Sequence, residues 1–132
     1  MLKLSKKSDY GLLIISKLLH TEEYMSLSKL VENTKLPLRF LARISAVLAK
    51  HGVLMSREGR VGGYKLGKRF PLLTAYDFLA IFETNLCMTG CQEDGHVCKF
   101  DKICKHKGPI RMKLQTVILR DLKKVQLSEL FS

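Results

Sequence analysis

Apolar residues recur at helical spacing along the first half of the chain. Between Ser8 and about His20, Leu12, Ile15, Leu18 and Leu19 make one face, which predicts a helix. Ser26 to Asn33 predicts a second, shorter helix with Leu27, Leu30 and Val31 inward. A turn at Thr34–Leu36 leads to Pro37, a residue favoured in the first turn of a helix. The run PLRFLARISAVLAKHG then predicts a third helix, ended by Gly52. On that helix Leu41, Ile44 and Leu48 fall on one side and Arg39, Arg43, Ala46 and Lys50 on the opposite one. A narrow face of Arg, small and Lys residues suits a DNA major groove, because Arg forks to guanine and the small residue allows close approach. On an isolated helix such cations are more often merely solvated. Two short helices, a tight turn and this helix make a helix-turn-helix order, and that shifts the balance.

The pattern then changes period. In VLMSREGRVGGYKLGK, β-prone residues at Val53–Met55 and Tyr64–Leu66 flank a basic, Gly-rich turn, which predicts a two-stranded wing. Arg57, Arg60, Lys65 and Lys68 are placed to meet phosphates or a minor groove. The turn lacks the glycine spacing of a nucleotide-binding loop, and no helix starts at its end, so that use is rejected. Further on, Thr74 and Asp77 mark a helix start, with the helix running to about Thr84. After a polar stretch, Gly108–Pro109 opens a last long helix with Ile110, Leu114, Val117, Ile118, Leu122 and Val125 in one stripe. Such a stripe is most often core; on a long terminal helix it equally suits pairing with a second copy.

Composition adds a partner class. The 132 residues carry a formal net charge of +11, which points to polyanions, nucleic acid before anionic membrane. No apolar run approaches the roughly 20 residues of a spanning helix, and Asp9 and Lys17 interrupt the leader-like start. A cytoplasmic protein is expected, where thiols stay reduced.

All four cysteines lie between Cys87 and Cys104, in the pattern Cys87-x3-Cys91-x6-Cys98-x5-Cys104-x-His106. The absence of a Cys-x-x-Cys pair argues against zinc ribbons and thioredoxin-like redox sites. Thiolates at longer spacings can wrap an iron–sulfur cluster, sometimes with one non-cysteine ligand. On spacing alone a cluster, a zinc ion and redox-active thiols all stay open.

Four motifs in order, MLKLSKKSDYG, GRVGGYKLGK, Cys91-x6-Cys98-x5-Cys104 and the closing LSELF, resemble the Rrf-type winged-helix transcription regulators. This is the family of IscR, NsrR and the regulators of SUF iron–sulfur assembly, and the opening looks closest to the last. The resemblance covers essentially the whole chain. It implies a mostly α fold with a small β-hairpin wing, a winged helix-turn-helix plus a long C-terminal dimerisation helix. Residues 1–70 would form the DNA-binding domain and 71–132 the cysteine-loop and dimerisation region. It further implies that Cys91, Cys98 and Cys104 hold an iron–sulfur cluster, 2Fe–2S or 4Fe–4S, with Asp9 as fourth ligand or His106 as the alternative. Cys87 does not match the triplet, and His96 reads as a surface residue.

Pro37, Leu38, Arg39, Phe40, Arg43, Lys50, Arg57, Arg60 and Lys65 are the candidate DNA-binding residues, with Arg39 and Arg43 on base edges. The wing departs from the family pattern, which carries Arg-Gly where this chain has Glu58-Gly59. Expected partners are a double-stranded DNA operator and a second copy of the chain, not a membrane. No catalytic constellation is visible, so an enzyme is not expected. The alternative is a cluster-free winged-helix regulator whose cysteines act as thiol switches or a zinc site.

Overall fold

Ser5 starts the first helix. Its hydroxyl accepts from the Ser8 N–H at 3.3 Å, so α1 spans Lys6–Leu18 and begins two residues ahead of the periodicity. In this computed structural model the described residues are 3–83, 86, 97, 99–100, 102–104 and 109–132, with side chains described from Met112 onward in the last stretch. The second helix is only one turn, α2 Leu27–Leu30, capped by Ser26. It stops short of the expected Asn33 because the chain reverses there, with Asn33 in the left-handed region at φ 61°, a conformation Asn tolerates. Pro37 stands at the N-cap, one place outside the helix, and α3 runs Leu38–Lys50.

Burial explains why α3 lies where it does. Leu41, Ile44 and Leu48 are buried together with Ile14, Ile15 and Leu18 of α1, and Val53 and Leu54 close the cluster below them. Each such aliphatic side chain contributes about 1.5–3 kcal/mol on removal from water. Tyr10 meets Phe40 edge-on, with ring centroids 5.2 Å apart, and fixes the entry of α3 against α1.

The hairpin that follows is antiparallel, β1 Leu54–Arg57 with β2 Gly63–Leu66, in the register Leu54↔Leu66, Met55↔Lys65, Ser56↔Tyr64 and Arg57↔Gly63. Met25, in the α1–α2 connection, adds an isolated bridge to Tyr64, with both N–H···O bonds at 2.8 Å. A 3₁₀ turn at Phe70–Leu72 then leads to α4, Ala75–Phe82, which starts on a complete Thr74–Asp77 capping box as expected.

The long helix α5 covers Pro109–Lys124. Beyond it the LSELF segment forms a 3₁₀ helix, Leu127–Phe131, whose Leu127 is buried in the same core as Phe70, Leu73 and Phe78. Two backbone bonds, Ala75 N–H to Val125 O and Leu127 N–H to Leu73 O, both 2.8 Å, tie this end to the start of α4. Among the described residues no α5 side chain belongs to the buried core. The expected stripe is half-buried at Ile118, Leu122 and Val125 and exposed at Leu114 and Val117. The mostly helical fold with one two-stranded wing is therefore the architecture expected from the sequence. No described helix is long and apolar enough to cross a membrane.

Gly63 is the tightest backbone position of the wing. It has φ +142°, and a Cβ there would stand 2.2 Å from the Met25 carbonyl oxygen. Strain and overpacking act together, so Gly63→Ala should cost at least about 2 kcal/mol of stability. Thermal or denaturant melts check this; an unchanged midpoint would contradict the tight contact with Met25.

Candidate nucleic-acid interface and cysteine loop

Because the apolar side of α3 is used up against α1, the opposite side is committed to solvent. Arg39, Arg43, Ala46 and Lys50 are all exposed there, and Leu38 is exposed at the entry. Phe40 is half-buried against Tyr10, and Pro37 is exposed. A shallow groove of about 450 Å³ runs between the start of α3 and the wing, lined by Ser26, Leu38, Arg39, Ala42, Gly62 and Gly63 among others. The wing turn thus stands beside the entry of α3, and Arg39 lines the groove between them.

The wing cations are not equivalent. Arg60 is exposed in the turn. Arg57 donates from Nη2 to the Val61 carbonyl at 2.9 Å, closing the turn on itself, and its guanidinium lies 4.3 Å from the ring centroid of Tyr24. The Lys65 ammonium lies 4.8 Å from the same ring. Tyr24 escapes a sequence reading, since it belongs to no periodic pattern and its two cations are distant in the chain. Only its place beside the Met25 bridge brings them together.

A second cluster joins α1 to the region ahead of the cysteine loop. Glu83, the residue that ends α4, accepts from the Ser5 N–H at 3.0 Å and from the Ser8 hydroxyl. Partial burial alone would raise the Glu83 carboxyl, but the hydrogen bonds from Ser8 and Ser5 outweigh it and hold it below the ordinary glutamate range. Asp9 sits in the same first turn of α1, exposed, next to buried Ser8. Gln115 of α5 donates to the Leu86 carbonyl at 2.6 Å, holding the segment after α4 from the other side.

Of the loop's candidate ligands, Cys104 is described. It is half-buried, and its N–H donates to the Phe100 carbonyl at 2.9 Å. Cys87, Cys91, Cys98, His96 and His106 lie outside the described residues. Among the described residues no three His, Cys, Asp or Glu side chains gather at a metal site. As a donor set, three thiolates with one carboxylate or imidazole would match iron–sulfur chemistry in softness, and Cys104, the described one of the three cysteines, is half-buried.

A helix-turn-helix with a pinned hairpin wing and an outward cationic face defines a winged-helix, DNA-binding transcription regulator. The family is equally plain: the chain belongs to Rrf2, described as iron-dependent transcriptional regulators, whose model matches residues 4–132. It is 28% identical over 123 residues to the HTH-type transcriptional regulator CymR of Bacillus subtilis, covering 92% of this chain and 89% of that one. The solved structure of B. subtilis CymR, titled the global cysteine regulator, superposes with a TM-score of 0.74 at 26% identity over 99% of this chain and 97% of that one. The T. potens IscR structure shares the fold at TM-score 0.62 and 22% identity, covering 98% and 85% of the two chains. These relatives are transcription regulators, not enzymes.

The Glu83 cluster has a pH signature. Because the folded carboxyl titrates below the unfolded one, its stabilisation is complete above the ordinary glutamate range, about 4.3, and is lost as pH falls through the lowered folded value. Glu83→Gln should therefore destabilise the protein at neutral pH, and the gap to wild type should close on acidification. Melts from pH 7 downward check this; a gap independent of pH would contradict it.

Proposed function

We propose that this protein is a dimeric operator-binding regulator that reads DNA with the outer face of α3 and senses through the Cys91–Cys104 loop. The observation that carries the DNA half is the exposed row Arg39, Arg43, Ala46 and Lys50, opposite the buried Leu41, Ile44 and Leu48. In the major groove Ala46 lets the helix approach while Arg39 and Arg43 fork to guanine O6 and N7. Pro37, Leu38 and Phe40 shape the entry of the helix. Lys50, Arg57, Arg60 and Lys65 supply phosphate contacts, whose contribution falls with salt.

A second copy is supported by α5, which leaves Leu114 and Val117 of its apolar stripe exposed on one side. Pairing of two such helices sets two copies of α3 on two half-sites. In this division of labour residues 1–70 bind DNA, and residues 71–132 sense and dimerise.

Cys91, Cys98 and Cys104 would hold an iron–sulfur cluster, with Asp9 or His106 completing the set. When bound, the cluster supplies a group open to oxidants and to iron shortage at its non-thiolate corner. The chain's own residues then relay the state of the loop. Ser5 and Ser8 bind Glu83, just ahead of the loop, and they lie on the helix that packs under α3. A bias of ~1–3 kcal/mol between loop states changes DNA affinity roughly 5–150-fold.

The likeness to CymR, named the global cysteine regulator, favours a second reading, a regulator without a cluster, whose cysteines would act as thiol switches or a zinc site.

Arg43→Ala should lower operator affinity by about 1–3 kcal/mol and relax base preference at one position of each half-site. Binding titrations on an operator selected from random duplexes check this, and unchanged affinity and preference would contradict the role of α3. Protein purified without oxygen should contain iron and acid-labile sulfide in near-equal amounts, both lost in Cys98→Ala. Protein free of both after reconstitution would leave the thiol-switch reading in place of the cluster.

A further inference from the structure

We propose that Tyr24 is a positioning residue for DNA binding, whose ring holds Arg57 and Lys65 on one face of the wing in place to meet phosphates of the DNA backbone. The inference rests on the DNA-binding reading above and adds to it a residue outside both α3 and the wing.

The hairpin register puts Arg57 and Lys65 on one face as diagonal neighbours, since Arg57 pairs with Gly63 and Met55 with Lys65. Two like charges so placed repel each other. The face of an aromatic ring carries the negative part of its quadrupole and attracts both, and the Tyr24 ring stands 4.3 Å from one cation and 4.8 Å from the other. Among the described residues neither cation has a carboxylate within ion-pair distance. A carboxylate would hold the cations by cancelling their charge. The ring holds them and leaves that charge for an incoming anion.

The platform is itself fixed. Met25, the next residue, is bonded to Tyr64 of β2 in both directions at 2.8 Å, and Gly63 lets that backbone come close. Arg57 spends one donor on Val61 and keeps the rest of its fork. Long cationic side chains otherwise sample many rotamers, and holding them beforehand lowers the ordering cost of binding. Gly59, Gly62 and Gly63 of the same wing line the groove next to Arg39, so the hairpin that carries the held cations borders the entry of α3.

The test uses the full chain and a labelled mixed-sequence DNA duplex long enough for two half-sites, titrated over a range of salt. Tyr24→Phe keeps the ring and should bind as wild type does. Tyr24→Leu and Tyr24→Gln should bind roughly 5–30-fold more weakly at low salt. Their plots of log affinity against log salt should be shallower by about 1–2 for each site occupied. The protein's net charge is the same in all of them, so a changed slope reports where the cations sit.

In an Arg57→Ala/Lys65→Ala background Tyr24→Leu should have no further effect. An equal loss in that background would mean that the ring acts through the fold, and it would overturn the proposal; so would wild-type affinity and slope in Tyr24→Leu. Arg43→Ala measured alongside separates the two readings. Loss there with none in Tyr24→Leu removes only the role of Tyr24, whereas a wild type that fails to bind duplex removes both.

Discussion

The packing of Leu41, Ile44 and Leu48 onto Ile14, Ile15 and Leu18 is the contact on which the rest depends. These side chains are almost completely buried, and together they fix the rotation of α3 about its own axis. Rotation decides which residues face water, because a helix cannot turn one side inward without turning the other out. Arg39, Arg43, Ala46 and Lys50 are presented as a set for that reason. A single aliphatic anchor replaced by a polar residue would cost core stability and also disturb the aim of the cationic row.

The wing is held by a different kind of force. It has only two short strands, which are marginal alone, and it is held by Leu54 in the core, by the Met25 bridge and by the cation–ring contacts on one face. Arg60 is exposed in the turn, whereas Arg57 and Lys65 are held against the Tyr24 ring. Glu58 in the same turn is exposed, and among the described residues it pairs with no cation. An acid near phosphates would cost affinity unless it points away from them.

Much of this was legible beforehand, for reasons that differ by element. The α3 face followed from period alone, since the helix is amphipathic and its core residues are large. The α4 start followed from a side-chain motif, Thr74 with Asp77, whose chemistry is local. The length of α2 did not follow, because Leu27, Leu30 and Val31 fit a longer helix and only the reversal at Asn33 ends it. The roles of Tyr24 and of Glu83 with Ser8 were invisible for a related reason. Each joins residues remote in sequence through tertiary contact, and no periodicity encodes that. The stripe on α5 was legible as apolar, but periodicity does not say that Leu114 and Val117 are exposed while Ile118, Leu122 and Val125 are half-buried. The candidate cluster site was read from spacing and resemblance; Cys91, Cys98 and His106 lie outside the described residues.

If the outer face of α3 enters a DNA major groove, guanine methylation will register it. Dimethyl sulfate modifies guanine N7 in the major groove and adenine N3 in the minor groove, so the protected base reports the groove that is filled. With wild-type protein on a selected operator, protection should fall on guanine N7 in two patches about one helical turn, or a multiple of it, apart. Arg43→Ala should uncover one guanine in each patch. Protection confined to adenine N3, or none at guanines within a bound site, would contradict the account.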